Sequence, residues 1–363
     1  MSNRILSGPL APGATIGILG GGQLGRMLAL AAARLGFKTH IYSNVADACA
    51  FQVSDAHTLA RFDDERALEA FAGACALATF EFENVPDATA KFLATHVPVA
   101  PNARALAAAQ DRLVEKHFLT GLGIATAPFV GVSDVGEASE AVIALGTPVV
   151  IKTRRMGYDG KGQAVARTPF DAPAAFESLH SVPAIAEAFV DFEFECSIIA
   201  ARGRDGAFAA YDPPKNEHEN HILRRSTVPA PLSPARVKDA FAIARHIAEA
   251  LDYVGVLAVE LFVAKGGTLL VNEIAPRVHN SGHWTIEACV TSQFTQHVRA
   301  IAGWPLGDPA RHSDAVMENI IGAEADNWLS LAAKPAGLHL YGKREARPGR
   351  KMGHITRLSP RAP

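Results

Sequence analysis

A glycine-rich turn near the N-terminus constrains the fold of this chain more than any other feature. The turn Gly20-Gly21-Gly22 follows the apolar run 14–19 and precedes residues 23–35, which have helical composition, before a second apolar run at 38–42. A strand, a glycine turn, a helix and a second strand form the β-α-β unit of a parallel sheet. The alternation continues through residues 64–72, 76–80 and 87–94. We therefore expect one Rossmann-like α/β domain over residues 1–110.

The same turn carries a candidate binding motif. Gly20, Gly22 and Gly25 satisfy G-x-G-x-x-G at the start of a helix, where free backbone N–H groups favour an anion. The acid that a dinucleotide fingerprint needs after the second strand is replaced by Ser43-Asn44. Three interpretations stay open: NAD or FAD binding in an oxidoreductase, a turn needed only for strand-helix packing, and a site for another phosphate or ribose.

Composition limits the class of protein. The 363 residues are 48% hydrophobic and 20% charged, enough for two or three packed domains. The net charge of −2 gives no general attraction to nucleic acid or to a membrane, so we expect neither as a partner. No apolar run approaches the length of a membrane span, and the four cysteines lack zinc spacing. We expect a soluble, cytoplasmic protein.

The remaining chain divides in two. From residue 111 the pattern changes to short strands, glycine loops and one long amphipathic helix at 234–252, which predicts an α+β domain over 111–304. Within it, residues 125–190 form a separate group of short elements that we expect to act as a mobile lid. Residues 305–363 predict a small, β-rich C-terminal domain.

A lysine and a glycine loop form the second candidate site. Lys152 ends an apolar strand, and the loop that follows contains Gly157, Gly160, Lys161 and Gly162 without the Gly-Lys-Ser/Thr of a P-loop. Glycines interleaved with cations suit a hairpin that closes over phosphates. A solvated surface hairpin is the alternative.

Two glutamates form the third candidate site. Glu260 and Glu273 lie on apolar strands at equal distances from Gly266-Gly267, so a two-residue turn there would place them opposite each other. Carboxylates about 5 Å apart repel by roughly 3 kcal/mol at an effective dielectric of about 20. A divalent cation such as Mg²⁺ offsets that repulsion, and Asn272 could add an amide ligand. A solvated pair at the rim of the sheet is the alternative.

Together these residues resemble the ATP-grasp ligases. Four motifs restrict the resemblance to one family within these ligases. They are Gly22-Gln23-Leu24-Gly25-Arg26-Met27, Tyr158-Asp159-Gly160, Asn272-Glu273-Ile274-Ala275-Pro276-Arg277 with its continuation to Thr285, and Arg347-Pro348-Gly349-Arg350-Lys351 with its continuation to His354. They span residues 16–354 in the family's order and are similar to the motifs of the N5-carboxyaminoimidazole ribonucleotide synthetase family of purine biosynthesis.

The resemblance implies roles for individual residues. Arg112 and Lys152 would contact ATP phosphates beneath the loop, Glu187, Ala188, Phe189 and Val190 would receive the adenine, Glu195 would hold the ribose, and Glu260 and Glu273, with Asn272 beside them, would carry Mg²⁺. Tyr158 and Asp159 would face the aminoimidazole, and Lys161 and Arg277 would assist phosphoryl transfer. The ribonucleotide would be bound by Gln23, Leu24, Glu83, His279, Lys343, Arg350 and Lys351.

The implied reaction is the ATP- and bicarbonate-dependent carboxylation of 5-aminoimidazole ribonucleotide by a homodimer. Three alternatives stay open: an ATP-grasp ligase with another acceptor, a dinucleotide-dependent oxidoreductase built on Gly20, Gly22 and Gly25, and a non-catalytic nucleotide sensor. Asp159 could instead cap a turn at Gly160, and the basic run at 343–357 could be a solvated tail.

Overall fold

The computed structural model describes residues 4–157 and 160–361, and its N-terminal part is a parallel α/β layer. The four-stranded sheet has the order β3-β2-β1-β4, with helices on both faces. Its elements are β1 (Thr15–Leu19), α1 (Gln23–Arg34), β2 (Lys38–Ser43), β3 (Ala56–Leu59), α2 (Glu65–Gly73), β4 (Leu77–Phe80), α3 (Asp87–His96) and α4 (Ala103–Ala109). The predicted β-α-β opening is confirmed. The short edge strand β3, which has no apolar run, was not predicted.

A small antiparallel sheet forms a separate layer after α5 (Arg112–Gly121). Asp111 caps α5 by accepting the N–H of Leu113 at 3.1 Å, and it also accepts two hydrogen bonds from Arg154, which joins the helix to this layer. The sheet order is β5-β8-β6-β7, with two helices packed on one face. Its elements are β5 (Phe129–Val132), α6 (Val135–Leu145), β6 (Val149–Thr153), β7 (Gln163–Ala166), α7 (Ala172–Ser178) and β8 (Ala184–Ala188).

The remaining strands form one nine-stranded sheet of order β14-β13-β9-β11-β12-β15-β17-β16, with β10 paired to β9. The long helix α8 packs its alanine and isoleucine face on β9 and β13, as its amphipathic pattern predicts. The elements are β9 (Phe192–Arg202), β10 (Phe208–Ala210), β11 (Lys215–Glu219), β12 (Ile222–Val228), α8 (Pro234–Ala250), β13 (Gly255–Ala264), β14 (Leu269–Ala275), α9 (Thr285–Ala288), α10 (Gln293–Ile301), β15 (Ser313–Ile321), α11 (Trp328–Ala332), β16 (Gly337–Leu340) and β17 (Lys351–Pro360). Four 3₁₀ turns, at Cys49–Val53, Pro169–Asp171, Asn280–Gly282 and Gly322–Asn327, complete the described elements.

The C-terminal strands continue the large sheet without a break. Strand β12 pairs with β15, and β15 pairs with β17. At this junction Glu318 of β15 accepts hydrogen bonds from Arg225 of β12 and Arg357 of β17. The C-terminal segment is therefore β-rich, as expected, and it is joined to the middle segment through backbone pairing. Among the described residues no helix combines the length and the hydropathy that a membrane span requires.

Candidate active site

A cavity of about 1190 Å³ lies between the small sheet and the large sheet and reaches the N-terminal layer. Most of the residues that the resemblance singles out line it: Gln23, Leu24, Glu83, Arg112, Lys152, Gly157, Gly160, Lys161, Phe189, Glu195, Glu260, Asn272, Glu273, Arg277, His279 and Lys351. Gly162, Glu187, Ala188 and Val190 lie on or beside the adjoining strands β7 and β8. Tyr158 and Asp159 fall outside the described residues, so their predicted roles stay predictions. Lys343 and Arg350 line an adjoining cavity.

The two glutamates pair directly across β13 and β14, as predicted, but the turn differs from the expected one. Next to the turn, Val263 pairs with Leu269, and the N–H of Gly267 donates to the carbonyl of Ala264 at 2.9 Å. This register alone would place Glu260 opposite Asn272. A bulge between Glu260 and Leu261 shifts the pairing by one residue and restores the pair.

Each glutamate is in contact with a basic side chain. Arg112 donates to Glu273 at 2.8 Å, and the Nε2 of His279 lies 2.9 Å from Glu260. Burial raises the pKa of Glu260, but His279 and Arg277 outweigh it and lower that pKa to about 2. Both carboxylates are therefore held by side chains of this chain, and Glu260 is kept as a carboxylate.

The donor set at this pair fits a hard divalent cation. The bulge turns Asn272 into the cavity, and its Oδ1 is buried without a hydrogen-bond partner. Two carboxylates and an unpartnered amide oxygen are the ligand types that Mg²⁺ takes. A buried acceptor is costly to leave unsatisfied, which supports a ligand at this position.

Two lysines meet one buried carboxylate at the end of the cavity nearest the small sheet. Lys152 donates to Glu187 at 3.0 Å, and Lys116 of α5 lies 3.6 Å from the same oxygen. Lys116 is 1% exposed and also donates to the carbonyl of Asn272 at 2.8 Å. The other oxygen of Glu187 has no partner. This cluster fixes Lys152 at the cavity wall, and Lys116 was missed because nothing in its helix distinguishes it from an exposed lysine.

Glu83 and Arg277 close the side toward the N-terminal layer. Arg277 holds Glu83 with two guanidinium nitrogens, one of them at 3.0 Å. Burial raises the pKa of Glu83, but Arg277 outweighs it and lowers that pKa to about 2. The pair places a permanent cation where the cavity meets the first domain.

The glycine turn holds an anion from its own chain. Glu81, which follows β4, accepts the N–H of Gly22 at 2.6 Å and the N–H of Gly25 at 2.9 Å. A Cβ on Gly22 would stand 2.7 Å from this carboxylate, which explains the requirement for glycine. Glu81 occupies the backbone N–H donors that a pyrophosphate would use. The turn therefore cannot bind a dinucleotide in this conformation, which argues against the NAD or FAD interpretation.

A second cavity of about 340 Å³ adjoins the first above this turn. The two cavities share Gln23, Glu81 and Phe82, and the second adds Lys343 and Arg350 from the C-terminal segment. Lys343 donates to the carbonyl of Lys351 at 2.7 Å, and burial lowers its pKa to about 8. Lys343 and Arg350 of the basic run are therefore part of a cavity wall, whereas Arg347 of the same run is 70% exposed.

His218 of β11 is a further site residue. Its Nδ1 lies 2.6 Å from Glu195, which was assigned to the ribose, and both line the large cavity. Burial lowers the pKa of His218, but Glu195 outweighs it and the net shift is upward. His218 lies outside the motifs that carry the family resemblance, and the pairing of β11 with β9 is what brings it to the site.

Comparisons with known proteins agree with this architecture. Residues 13–110 match the ribonucleotide synthetase preATP-grasp domain, 117–294 match the ATP-grasp domain, and 315–362 match the phosphoribosylaminoimidazole carboxylase C-terminal domain. The chain is 52% identical to the N5-carboxyaminoimidazole ribonucleotide synthase of Brucella melitensis, over 97% of this chain and 98% of that protein.

Solved structures show the same similarity. The N5-carboxyaminoimidazole ribonucleotide synthetase of Thermus thermophilus is 48% identical with a TM-score of 0.89, covering 95% of this chain and 93% of that one. The N5-carboxyaminoimidazole synthase of Aspergillus clavatus, in complex with ADP and 5-aminoimidazole ribonucleotide, is 32% identical with a TM-score of 0.90, covering 96% and 94%.

The fold and the site together define an ATP-grasp ligase. The chain belongs to the N5-carboxyaminoimidazole ribonucleotide synthase family. The resemblance and the fold class expected from the sequence are thus confirmed.

Proposed function

We propose that this protein uses ATP and bicarbonate to carboxylate the exocyclic amine of 5-aminoimidazole ribonucleotide, as a C–N ligase of purine biosynthesis. The observation that carries the proposal is the continuity of two cavities, one with the glutamate pair and Lys152, the other with Lys343 and Arg350. Two separate cationic regions suit two phosphate-bearing substrates that must react with each other. The relatives named above carry this activity in their names, and one was solved with ADP and the ribonucleotide.

ATP would lie between the two sheets. Lys152 and Arg112 line the cavity and would bind the phosphates, and Gly157, Gly160 and Lys161 of the glycine loop line the same cavity and would close over them. The adenine would lie against Glu187, Ala188, Phe189 and Val190. The ribose would be bound by Glu195, with His218 beside it. The unpartnered oxygen of Glu187 is an acceptor held at this end.

Glu260, Glu273 and Asn272 would hold Mg²⁺. A divalent cation at this position neutralises phosphate charge during phosphoryl transfer. Arg112 and His279 already hold both carboxylates in place, so binding requires little rearrangement of this chain.

Phosphoryl transfer begins when a bicarbonate oxygen attacks the γ-phosphorus and ADP leaves, which forms carboxyphosphate. Catalysis of such a step needs fixed positive charge more than covalent participation. Arg277, oriented by Glu83, and Lys161 supply that charge. Carboxyphosphate then separates into CO₂ and phosphate inside a cavity from which water is excluded.

Carboxylation follows when the amine attacks the CO₂ carbon and loses a proton. We assign Asp159 to accept that proton or to orient the amine, with Tyr158 beside it. Gln23, Leu24, Glu83 and His279 would border the ribonucleotide, and Lys343, Arg350 and Lys351 would bind its phosphate.

Phosphate release from ATP with bicarbonate, measured with and without the ribonucleotide, tests the function. We expect the ribonucleotide to stimulate release and to be converted to the carboxylated product. Stimulation by a different amine instead would indicate another acceptor within the ATP-grasp ligases.

Two variants test the assignment of two anion regions. Arg350→Ala, in the second cavity, should raise the KM for the ribonucleotide about 10- to 150-fold, the equivalent of one charged hydrogen bond, with little effect on the KM for ATP. Lys152→Ala should show the opposite selectivity. Equal losses for both substrates in both variants would contradict the assignment.

The homodimer and the cytoplasmic location implied above stay predictions. Light scattering on the purified protein tests the first, and fractionation of the source cells tests the second.

A further inference from the structure

A partly buried polar cluster lies outside the cavities described above, between α9 and the C-terminal strands. Glu287 of α9, His339 of β16 and His354 of β17 place one ligand atom each within 4.8 Å of the others. His339 and His354 are paired across the two strands, and their rings stack with centroids 4.5 Å apart. The Nε2 of His339 lies 2.7 Å from Glu287.

Unsatisfied polar atoms lie in this cluster and beside it. Among the described residues, seven buried side-chain atoms lack a hydrogen-bond partner, and two of them belong to the cluster, the second oxygen of Glu287 and the Nε2 of His354. A third is the Nε2 of His283, whose ring centroid lies 4.8 Å from that of His354, and a fourth is the hydroxyl of Thr356, on the same face of β17 as His354. Buried polar atoms are nearly always satisfied, so this concentration indicates a ligand at this position.

One tautomer of His354 suits a cation as that ligand. The Nδ1 of His354 is 2.9 Å from the hydroxyl of the fully buried Tyr341. In the tautomer that donates Nδ1–H to that hydroxyl, Nε2 carries a lone pair and is open to a cation; in the other tautomer the hydroxyl donates to Nδ1, and Nε2 carries the proton. An outer-shell hydrogen bond on one ring nitrogen, with the other nitrogen free, is the arrangement of a metal-binding histidine.

We propose that Glu287, His339 and His354 form a second cation site, which takes a divalent transition metal of the zinc type. Two imidazoles and one carboxylate are a ligand set that zinc accepts, with water completing the coordination. The proton between His339 and Glu287 stands between two of the ligands and would have to leave Nε2 on binding, for the other ring nitrogen or for solvent.

Binding requires a limited movement. Zinc bonds of about 2.1 Å place tetrahedral ligand atoms about 3.4 Å apart. The His339 nitrogen and the Glu287 oxygen, now 2.7 Å apart, must therefore separate, and the remaining distances, all within 4.8 Å, must adjust to that value. A cation also lies near the plane of each ring that binds it, so one of the stacked rings must turn. His339 is the one with room, because its side chain is 30% exposed on the edge strand β16 while His354 is fully buried.

Zinc titration of the EDTA-treated full-length protein tests the site. The Glu273→Gln background is used for every sample, so that the glutamate pair of the active site contributes less to zinc binding. We expect one equivalent of zinc to bind and to raise the melting temperature. His339→Ala and Glu287→Gln should each weaken that binding by at least about 10- to 100-fold, the range known for weaker perturbations of metal sites.

His246→Ala, which changes an exposed histidine of α8, is the matched control and should leave zinc binding unchanged. Cobalt provides a second readout, because visible d–d bands should appear in the parent and disappear in His339→Ala. No zinc binding, or equal affinity in the parent and in His339→Ala, would overturn the proposal and leave water as the ligand of the cluster.

Discussion

Replacement of Glu273 by glutamine separates a metal-binding role from a structural one. The carboxylate lies opposite Glu260 and accepts a hydrogen bond from Arg112 at 2.8 Å. Glutamine keeps the shape and one acceptor oxygen but removes the charge. We expect a large loss of Mg²⁺ affinity with almost no loss of stability.

Two opposing terms set the stability change. A charged hydrogen bond contributes about 1.5–3 kcal/mol and a neutral one about 0.5–1.5, so the bond to Arg112 weakens by roughly 1 kcal/mol. Solvent screens this loss, because the Glu273 side chain is 36% exposed. Relief of the repulsion from Glu260 acts in the other direction. The free energy of unfolding should therefore change by less than about 1 kcal/mol, a shift in melting temperature of no more than about 2–4 °C.

Metal affinity should respond far more strongly. Loss of one of two carboxylate ligands should raise the Mg²⁺ concentration for half-maximal ATP hydrolysis by at least about 10- to 100-fold. Phosphate release across a Mg²⁺ series, with melting curves of the metal-free protein, measures both effects. Glu249→Gln, on the exposed face of α8, is the surface control. A large drop in melting temperature with an unchanged Mg²⁺ dependence would show that Glu273 acts through Arg112 alone.

Three further changes test other parts of the site. Burial lowers the pKa of Lys343 to about 8. Because only the protonated amine binds phosphate, kcat/KM for the ribonucleotide should fall about tenfold per pH unit above pH 8. A pH profile that stays flat would exclude Lys343 as a phosphate ligand. Lys116→Met leaves the Asn272 carbonyl without its donor and Glu187 with one lysine fewer, so the free energy of unfolding in urea should fall by about 3–5 kcal/mol. The exposed control Lys91→Met should lower it by less than about 1 kcal/mol, and equal losses in the two variants would refute the buried cluster. Asp159→Asn should still release phosphate from ATP but form little carboxylated product, and an unchanged ratio of product to phosphate would limit Asp159 to a turn.

The features that could be predicted from the sequence depend on local chemistry. The β-α-β opening follows from apolar runs and glycines that are adjacent in the chain. The position of Glu260 directly opposite Glu273 was also predicted, although the prediction assumed a two-residue turn and no bulge. A bulge at Asn272 compensates for a turn that is one residue longer than expected, and both offsets cancel at the glutamates.

The features that could not be predicted depend on contacts between distant segments. Glu81 fills the glycine turn from a strand 59 residues away from Gly22, and no motif spacing indicates it. Lys116 and His218 become site residues only when α5 crosses β14 and when β11 pairs with β9. The sequence contains the motif of a dinucleotide site, but in the fold the side chain of Glu81 occupies the position of the ligand.

The unbroken sheet from β14 to β16 limits how this enzyme could be rebuilt. Lys351, at the start of β17, and Glu260, on β13, are carried by strands of a single hydrogen-bonded surface, and Glu318 joins the strands at the seam between Arg225 and Arg357. A C-terminal segment taken from another ligase would have to reproduce the edge pairing of β12 with β15, or it would leave that edge open to association with other chains. A replacement of the C-terminal segment, which carries Lys351, must therefore keep the strand register between β12 and β15. Chimeras joined within the 303–312 connection should fold only when the residues of β15 that face β12 are kept.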